Sequence, residues 1–477
     1  MLVSRFIPFD PNQPLLLPPD LRDALPAGHP ALLVGELVDQ LDLSEIESAL
    51  PDERLGGAPA FDPRMLLRVW IYAYLTGVRS SRKLAQAIVE NVPFRVLSHN
   101  TTPGYWALNR FRTRHRAALG NLLVQSVQLA SDLGLVKLAS VAVDGTKIKA
   151  NASKHKAMSY ARMDAREAKL RAEVEEYLRS VDEHDERDER TLGPDDDGMS
   201  LPPELRDAQA RRRKIAEAKR ELERRAKERA EREQAKRAAA AAKEGRTYQP
   251  RSRSEDAVPR GSDQINFTDP ESRIMQRGGA FVQAFNAQAA VDADTHIVVA
   301  ALVTNQPGDV EQLRDLTNQT IRNTGRTPKR FLADAGYYSD DNVQHVQDLG
   351  AEALIPPQKL RHSEWREQTA PKGRIPAGLS RAERMRRRLA TKAGKRLYLQ
   401  RQASIEPVFG TTRAARGLQQ LHHRGLEKNH HLWRFDLAVH NLRKIITRLR
   451  AAIAPPAPPG TTRRTSDRAA TPAGSPA

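Results

Sequence analysis

The sequence contains no cysteine. That excludes disulfides, thiolate zinc sites and cysteine nucleophiles, and it fits a reducing compartment. No run of about 18 apolar residues occurs, so no transmembrane helix and no membrane partner are expected. The opening residues, MLVSRFIPFDPNQP, lack the apolar core of a signal peptide. A cytoplasmic, nucleoid-associated protein is the expectation. No Ser–His–Asp or Cys–His arrangement stands out, and no small-molecule substrate is expected.

What the chain does have is positive charge. Lys and Arg number 77 against 59 acidic residues, a formal net charge of +18. A surplus of that size favours a polyanionic partner, and nucleic acid is the commonest. A basic ribosome-like or membrane-surface protein is the other reading of composition alone. The 477 residues leave room for two or three domains and at least one sizeable core.

From 31 to about 130 the apolar residues recur at three- and four-residue steps, as in PRMLLRVWIYAYLTG, which predicts helices. Asp62-Pro63 is a helix start, Gly77 a stop, and Ser80 or Ser81 an N-cap. One long helix is expected from TTPGYWALNRF onward, with Arg110, Arg112 and Arg114 near its start. Interleaved arginines make residues 1–130 a candidate helical DNA-binding domain. The period then changes. KLASVAVDG, AFVQAFNAQAAVD, HIVVAALVT, KRFLADAG and EALIPP read as strands, with a hairpin turn at Asp294-Thr295 and a helix after Asp309. Residues 358–396 read as a basic loop, and Lys395 to about 451 as two helices. The segment 204–245 is built of Arg, Lys, Glu and Ala, with Ile215 and Leu222 as its large aliphatics after Leu205. It predicts a long exposed helix or helical hairpin whose apolar seam is too thin for a coiled coil. The expected organisation is a helical domain at 1–130, an α/β domain at 131–155 and 265–450, a charged helical insertion with a flexible linker at 156–264, and a disordered tail at 451–477. Strands mixed with helices around a hairpin predict a mixed sheet flanked by helices.

Two predicted strands end in an acid, Asp144 in SVAVDGT and Asp334 in FLADAGYYS. Side by side, the two carboxylates would repel, and a shared divalent cation would resolve the repulsion. Glu406, in RQASIEPVFGTTR, would project from a helix onto the same site. Oxygen-only ligands suit Mg²⁺ or Mn²⁺, and two such ions can carry phosphoryl transfer without a side-chain nucleophile. Taken singly, each acid reads equally well as a turn former or helix cap.

Together these blocks resemble a DDE transposase of bacterial insertion sequences. VAVDGTKIKANAS, the AFNAQAAVD to GDVEQL stretch, FLADAGYYSDDNV and YLQRQASIEPVFGTTR carry the likeness. The N-terminal PFDPNQPLLLPPDLRDALP and FDPRMLLRVWIYAYLTGVRSSRKLAQA also resemble the helical domain of that group. The resemblance implies a ribonuclease-H-like core in which Asp144, Asp334 and Glu406 bind two Mg²⁺ or Mn²⁺ ions. It also implies an N-terminal region that binds terminal inverted repeats, cleavage and strand transfer of DNA, and a homodimer on DNA, since two element ends must meet. Many relatives carry a Tyr-Arg-Glu-Lys signature. Tyr398, Arg401 and Glu406 stand for its first three members, and Arg413 falls where the Lys would be. Arg401 precedes the Glu by five residues where four are often seen. Tyr398, Arg401 and Arg413 are expected to contact DNA. An inactive DNA-binding relic and a nuclease of the same fold are the alternatives.

Other groups compete for a role. Asp292 and Asp294 flank a predicted turn and Asp309 reads as a helix N-cap, so all three are expected to be structural. His422, His423, His430 and His431 predict a DNA-facing or solvated helical surface. Trp365 is a candidate for holding a flipped base, and the basic helix near 211–237 reads as a DNA grip, a dimer contact or a solvated strut.

Overall fold

Asp62 and Pro63 open a helix as their chemistry requires: the Asp62 carboxylate accepts the Met65 N–H at 2.9 Å and Pro63 occupies the first turn. The computed structural model describes residues 20–49, 60–152, 156–172, 203–359 and 378–453, with isolated positions between 369 and 376. Residues 1–19, the acidic stretch 182–198, Trp365 and the tail from 454 lie outside the described residues. The N-terminal helices are α1 (Pro30–Asp39), α2 (Ser44–Glu47), α3 (Pro63–Leu75), α4 (Ser81–Glu90), α5 (Val92–Leu97), α6 (Tyr105–Arg114) and α7 (Arg116–Asp132). Gly77 stops α3 in a left-handed conformation, φ +82°. The single long helix expected from Tyr105 is broken at His115, which leaves helical geometry and turns its buried ring onto Phe111, centroids 5.1 Å apart.

The sheet is built from β1 (Val141–Lys149), β4 (Arg273–Arg277), β5 (Ala280–Asp292), β6 (Val298–Thr304), β7 (Arg330–Leu332) and β8 (Glu352–Leu354). Its order is β4-β5-β1-β7-β8, with β6 also on β5. β1 and β6 run antiparallel to β5, while β7 lies parallel to β1 and β8 parallel to β7. This is an open mixed α/β sheet flanked by helices, as expected. The β4–β5 hairpin was not foreseen. Its turn is Gly278-Gly279, both at positive φ, which hairpin loops require.

Helices α9 (Leu313–Thr324) and α10 (Asp340–Asp348) connect the later strands. Part of the expected basic loop is instead helix α11 (Arg381–Ala390), started by a capping box between Ser380 and Glu383. Then come α12 (Lys392–Gly410) and α13 (Leu426–Ile453). α13 lies along α7 and β6, and one apolar core runs from Trp70 and Leu123 through Val143 and Phe285 to Trp433. The N-terminal helices therefore share their core with the sheet.

Within the insertion, a shorter helix at 160–172 precedes one unbroken helix, α8 (Pro203–Lys243), the long-helix alternative and not a hairpin inside that stretch. Ile215 and Leu222 are its buried anchors, packed on Met163, Leu170 and Ile265 in a small separate core. β2 (Ala157–Ser159) pairs with β3 (Gln264–Asn266) at its base.

Candidate active site

Register decides where the acids stand. β1 pairs β7 in parallel with Val141 opposite Phe331 and Ala142 opposite Leu332. Two residues further on, Asp144 and Asp334 are level on neighbouring chains. β1 does not end at Asp144, as the sequence suggested, but runs to Lys149. β7 ends at Leu332, so β1 loses its partner on that side at the level where Asp144 needs space. Asp334 caps the turn 335–337, its carboxylate accepting the Gly336 N–H at 2.9 Å.

Asp144 is largely buried. One oxygen accepts the Gly145 N–H at 2.8 Å and the other the Arg401 guanidinium at 2.7 Å. Burial, with the Asp334 charge adding to it, raises its pKa to about 6 against the downward pull of Arg401 and the Gly145 N–H. The Arg401 guanidinium also lies over the Tyr398 ring, 5.6 Å from its centroid. Asp334, Gly336, Pro356, Tyr398, Arg401 and Gln402 line a cavity of about 640 Å³.

The floor of the site is polar. Asn286 and Gln288 are completely buried in β5, where an unpaired amide would cost stability. Both donate to Asp309 Oδ1 at 2.7 Å, and Lys147 Nζ donates to the same oxygen at 3.0 Å. Gln288 Oε1 accepts the hydroxyl of buried Tyr337. Burial and the charges of Asp309, Asp144 and Asp334 push the Tyr337 pKa well up. Gly145 is required here: a Cβ would stand 2.3 Å from Gln288 Nε2.

The structure thus brings together Asp144, Asp334, Tyr398 and Arg401, and adds Asp309. Sequence reasoning passed over Asp309 because it precedes a helical turn. Its signal was the Asn286, Gln288 and Lys147 side chains placed on buried strands. Glu406 is not in the cavity. Arg401 and Ile405 face the sheet and are buried, whereas Glu406 is exposed on another side of α12. Arg413 is half-buried in a π-helical turn, Thr411–Ala415.

Arg110 and Arg114 are exposed, but Arg112 is not. Its guanidinium lies buried 4.3 Å from the Trp70 ring centroid and donates to the Arg79 carbonyl at 2.8 Å. Its role is internal, and it cannot reach DNA. The histidines also depart from a solvated surface. His422 is exposed, but His423, His430 and His431 are half-buried. Burial, with nearby arginines adding to it, pushes His423 and His430 down to about 4, so at neutral pH both are uncharged. Asp292 is structural as expected, its carboxylate accepting four backbone N–H groups from Lys137, Leu138, Asp294 and Thr295.

An antiparallel-then-parallel sheet with two level acids at its centre defines a ribonuclease-H-like core. Two family models identify the group within that class: Transposase DDE domain over residues 257–442 and Transposase domain (DUF772) over residues 19–114. The chain belongs to the DDE transposases of insertion sequences. Asp334 and Glu406 fall inside the first span, and Asp144 precedes it across the insertion. No curated protein and no solved structure matches the chain. No helix among the described residues is long and apolar enough to cross a membrane.

DDE transposases use divalent metal ions. The Asp144–Asp334 pair fits such an ion through its oxygen donors and through the burial, with the Asp334 charge adding to it, that raises Asp144 and that a cation would offset. Among the described residues no three His, Asp or Glu side chains already converge on one cation position, so a cation has to draw its ligands together.

Proposed function

We propose that this transposase binds the terminal repeats of its own element and catalyses DNA cleavage and strand transfer at their ends. The observation that supports this most is the level placement of Asp144 and Asp334 on β1 and after β7. In this reading Asp144, Asp334 and Glu406 hold two Mg²⁺ or Mn²⁺ ions. When bound, such ions activate water or a 3′-hydroxyl and stabilise the leaving oxygen. Arg401 keeps Asp144 oriented and, with Tyr398 and Arg413, meets the DNA backbone beside the cut; a guanidinium suits both tasks. With Arg401 kept on Asp144, Glu406 reaches the aspartates only if the part of α12 beyond Arg401 turns about the helix axis. Pro407 and the π-turn that follows interrupt regular helical bonding where such a turn would be absorbed. Two bound ends require a homodimer on DNA, and a cytoplasmic, nucleoid-associated protein follows from the substrate.

DNA contact by α6 is supported by its surface. Tyr105 and Trp106 are exposed, with Arg82 5.4 Å from the Tyr105 ring and Arg110 5.3 Å from the Trp106 ring. Aromatic rings beside guanidiniums stack on bases and meet phosphates. Replacing both Trp106 and Arg110 with Ala is expected to weaken end-DNA binding about tenfold or more without lowering the melting temperature. Arg112→Ala should lower the melting temperature instead. Equal DNA binding by the double variant and the parent would remove α6 from the interface.

The test of the function is incubation of the protein with Mg²⁺ and a plasmid carrying the element's flanking ends, beside Asp334→Ala. Cutting and joining at the ends by the parent alone is the expected result. Cutting without joining favours a nuclease, and binding without cutting by either protein favours a DNA-binding relic.

A further inference from the structure

We propose that Asp309 is a further metal-facing carboxylate of this centre, an inference that rests on the metal-dependent reading above. Asp309 Oδ1 is fully engaged by Lys147, Asn286 and Gln288, which fixes the carboxyl plane. Oδ2 is left pointing at the opposite side of the group. The position of a Cβ on Gly336 would lie 3.4 Å from this Oδ2 and 3.0 Å from Asp334 Oδ1. The two carboxylates therefore flank the same glycine, with these two oxygens no more than about 6.4 Å apart, and a side chain at Gly336 would crowd both.

The polar floor explains why the acid is held so firmly. Lys147 offsets one negative charge from behind, so the repulsion of three neighbouring carboxylates is reduced before any cation arrives. Gln288 links Asp309 to the Tyr337 hydroxyl, and Tyr337 lies in the turn capped by Asp334. Asp309 and Asp334 are thereby held by one connected network across β5, β1 and the turn after β7. Glu406 has no comparable anchoring: its side chain is exposed and lies outside the cavity. The three carboxylates do not yet converge on one cation position, so a cation between Asp144 and Asp334 would have to draw Asp309 Oδ2 toward it.

The unaltered full chain supplies the first test. Fe²⁺ loaded in place of the native ion and treated with ascorbate and peroxide cuts the backbone near the bound ion. Scission is expected near residues 144, 309 and 334. Scission near 144 and 334 with none near 309 would overturn the assignment, and no localised scission would sink the metal-dependent reading itself. Mn²⁺ titration gives the second test. Asp309→Asn should bind Mn²⁺ at least tenfold more weakly, as Asp144→Asn should, while Lys147→Met keeps the carboxylate and loses less. Parent-like Mn²⁺ affinity in Asp309→Asn beside a weakened Asp144→Asn would also overturn the assignment.

Discussion

Asp144→Asn is expected to lower DNA cleavage at the element ends by at least about 10³-fold, equivalent to about 4 kcal/mol of lost transition-state stabilisation, with end binding unchanged. The size follows from its position. Asp144 is level with Asp334 across β1 and β7, so one substitution halves the acidic pair that faces the cation. Asparagine retains the shape and its single carbonyl oxygen can accept from Arg401, at the cost of the Gly145 N–H contact, so most of the loss is electrostatic.

The pH dependence has a definite sign. The folded-state pKa of Asp144 is about 6, above its ordinary 3.8. A raised acid contributes stability that is full below about pH 4 and lost as pH rises through about 6. The metal-free protein therefore carries an unfavourable ionised carboxylate at neutral pH. Cation binding works the other way, because it needs that ionised form. Mn²⁺ should raise the melting temperature at pH 7.5, and less at each step below pH 6, with cleavage falling by about tenfold per pH unit there for one required deprotonation. In Asp144→Asn the Mn²⁺-dependent shift should be smaller at a given Mn²⁺ concentration and should no longer fall as pH drops through 6. Cleavage by the parent that is flat from pH 7 to 5 would remove Asp144 from the metal-binding role.

Much of this fold was legible because its strands are apolar and β-branched and its helices carry local start signals. Asp62, Ser80 and Gly77 act as their residue types predict. The parts that were missed had weaker patterns. β4 reads RIMQR, with only two apolar residues, and the Gly278-Gly279 turn was its one clear mark. α11 has only Met385 and Leu389 as large apolar residues among Arg, Glu and Ala, a single four-residue step, although Ser380 and Glu383 spell its cap. At the site, the two aspartates were readable because apolar strands lead to them. The place of Glu406 was also written, in the spacing. Four residues on a helix bring two side chains to within about 40° of each other, whereas five separate them by about 140°. With Arg401 held against Asp144, a five-residue step turns Glu406 away. Asp309 could not be found from its own neighbourhood, because its partners come from β1 and β5, more than twenty residues or an entire insertion away.

Asp436→Ala is expected to destabilise the protein by about 3–5 kcal/mol, because it strands two buried guanidiniums. Arg79 and Arg416 each lie 2.9 Å from the Asp436 carboxylate, and all three side chains are nearly inaccessible. Arg79 belongs to the turn between α3 and α4, Arg416 follows the π-turn after α12, and Asp436 lies in α13. Arg79 also donates to the Arg416 carbonyl, and Arg112 to the Arg79 carbonyl. The ion triad therefore ties the N-terminal helices to the two helices that flank the acidic centre. Burial pulls the Arg416 pKa below its ordinary value, and the Asp436 charge opposes that pull. Since those helices and the sheet also share one apolar core, urea unfolding of the parent should follow one transition for both parts. In Asp436→Ala that transition should move to lower urea as a unit, or split so that the N-terminal helices melt first. An unchanged midpoint would mean that the triad contributes nothing net, its attraction cancelled by the cost of burying three charges.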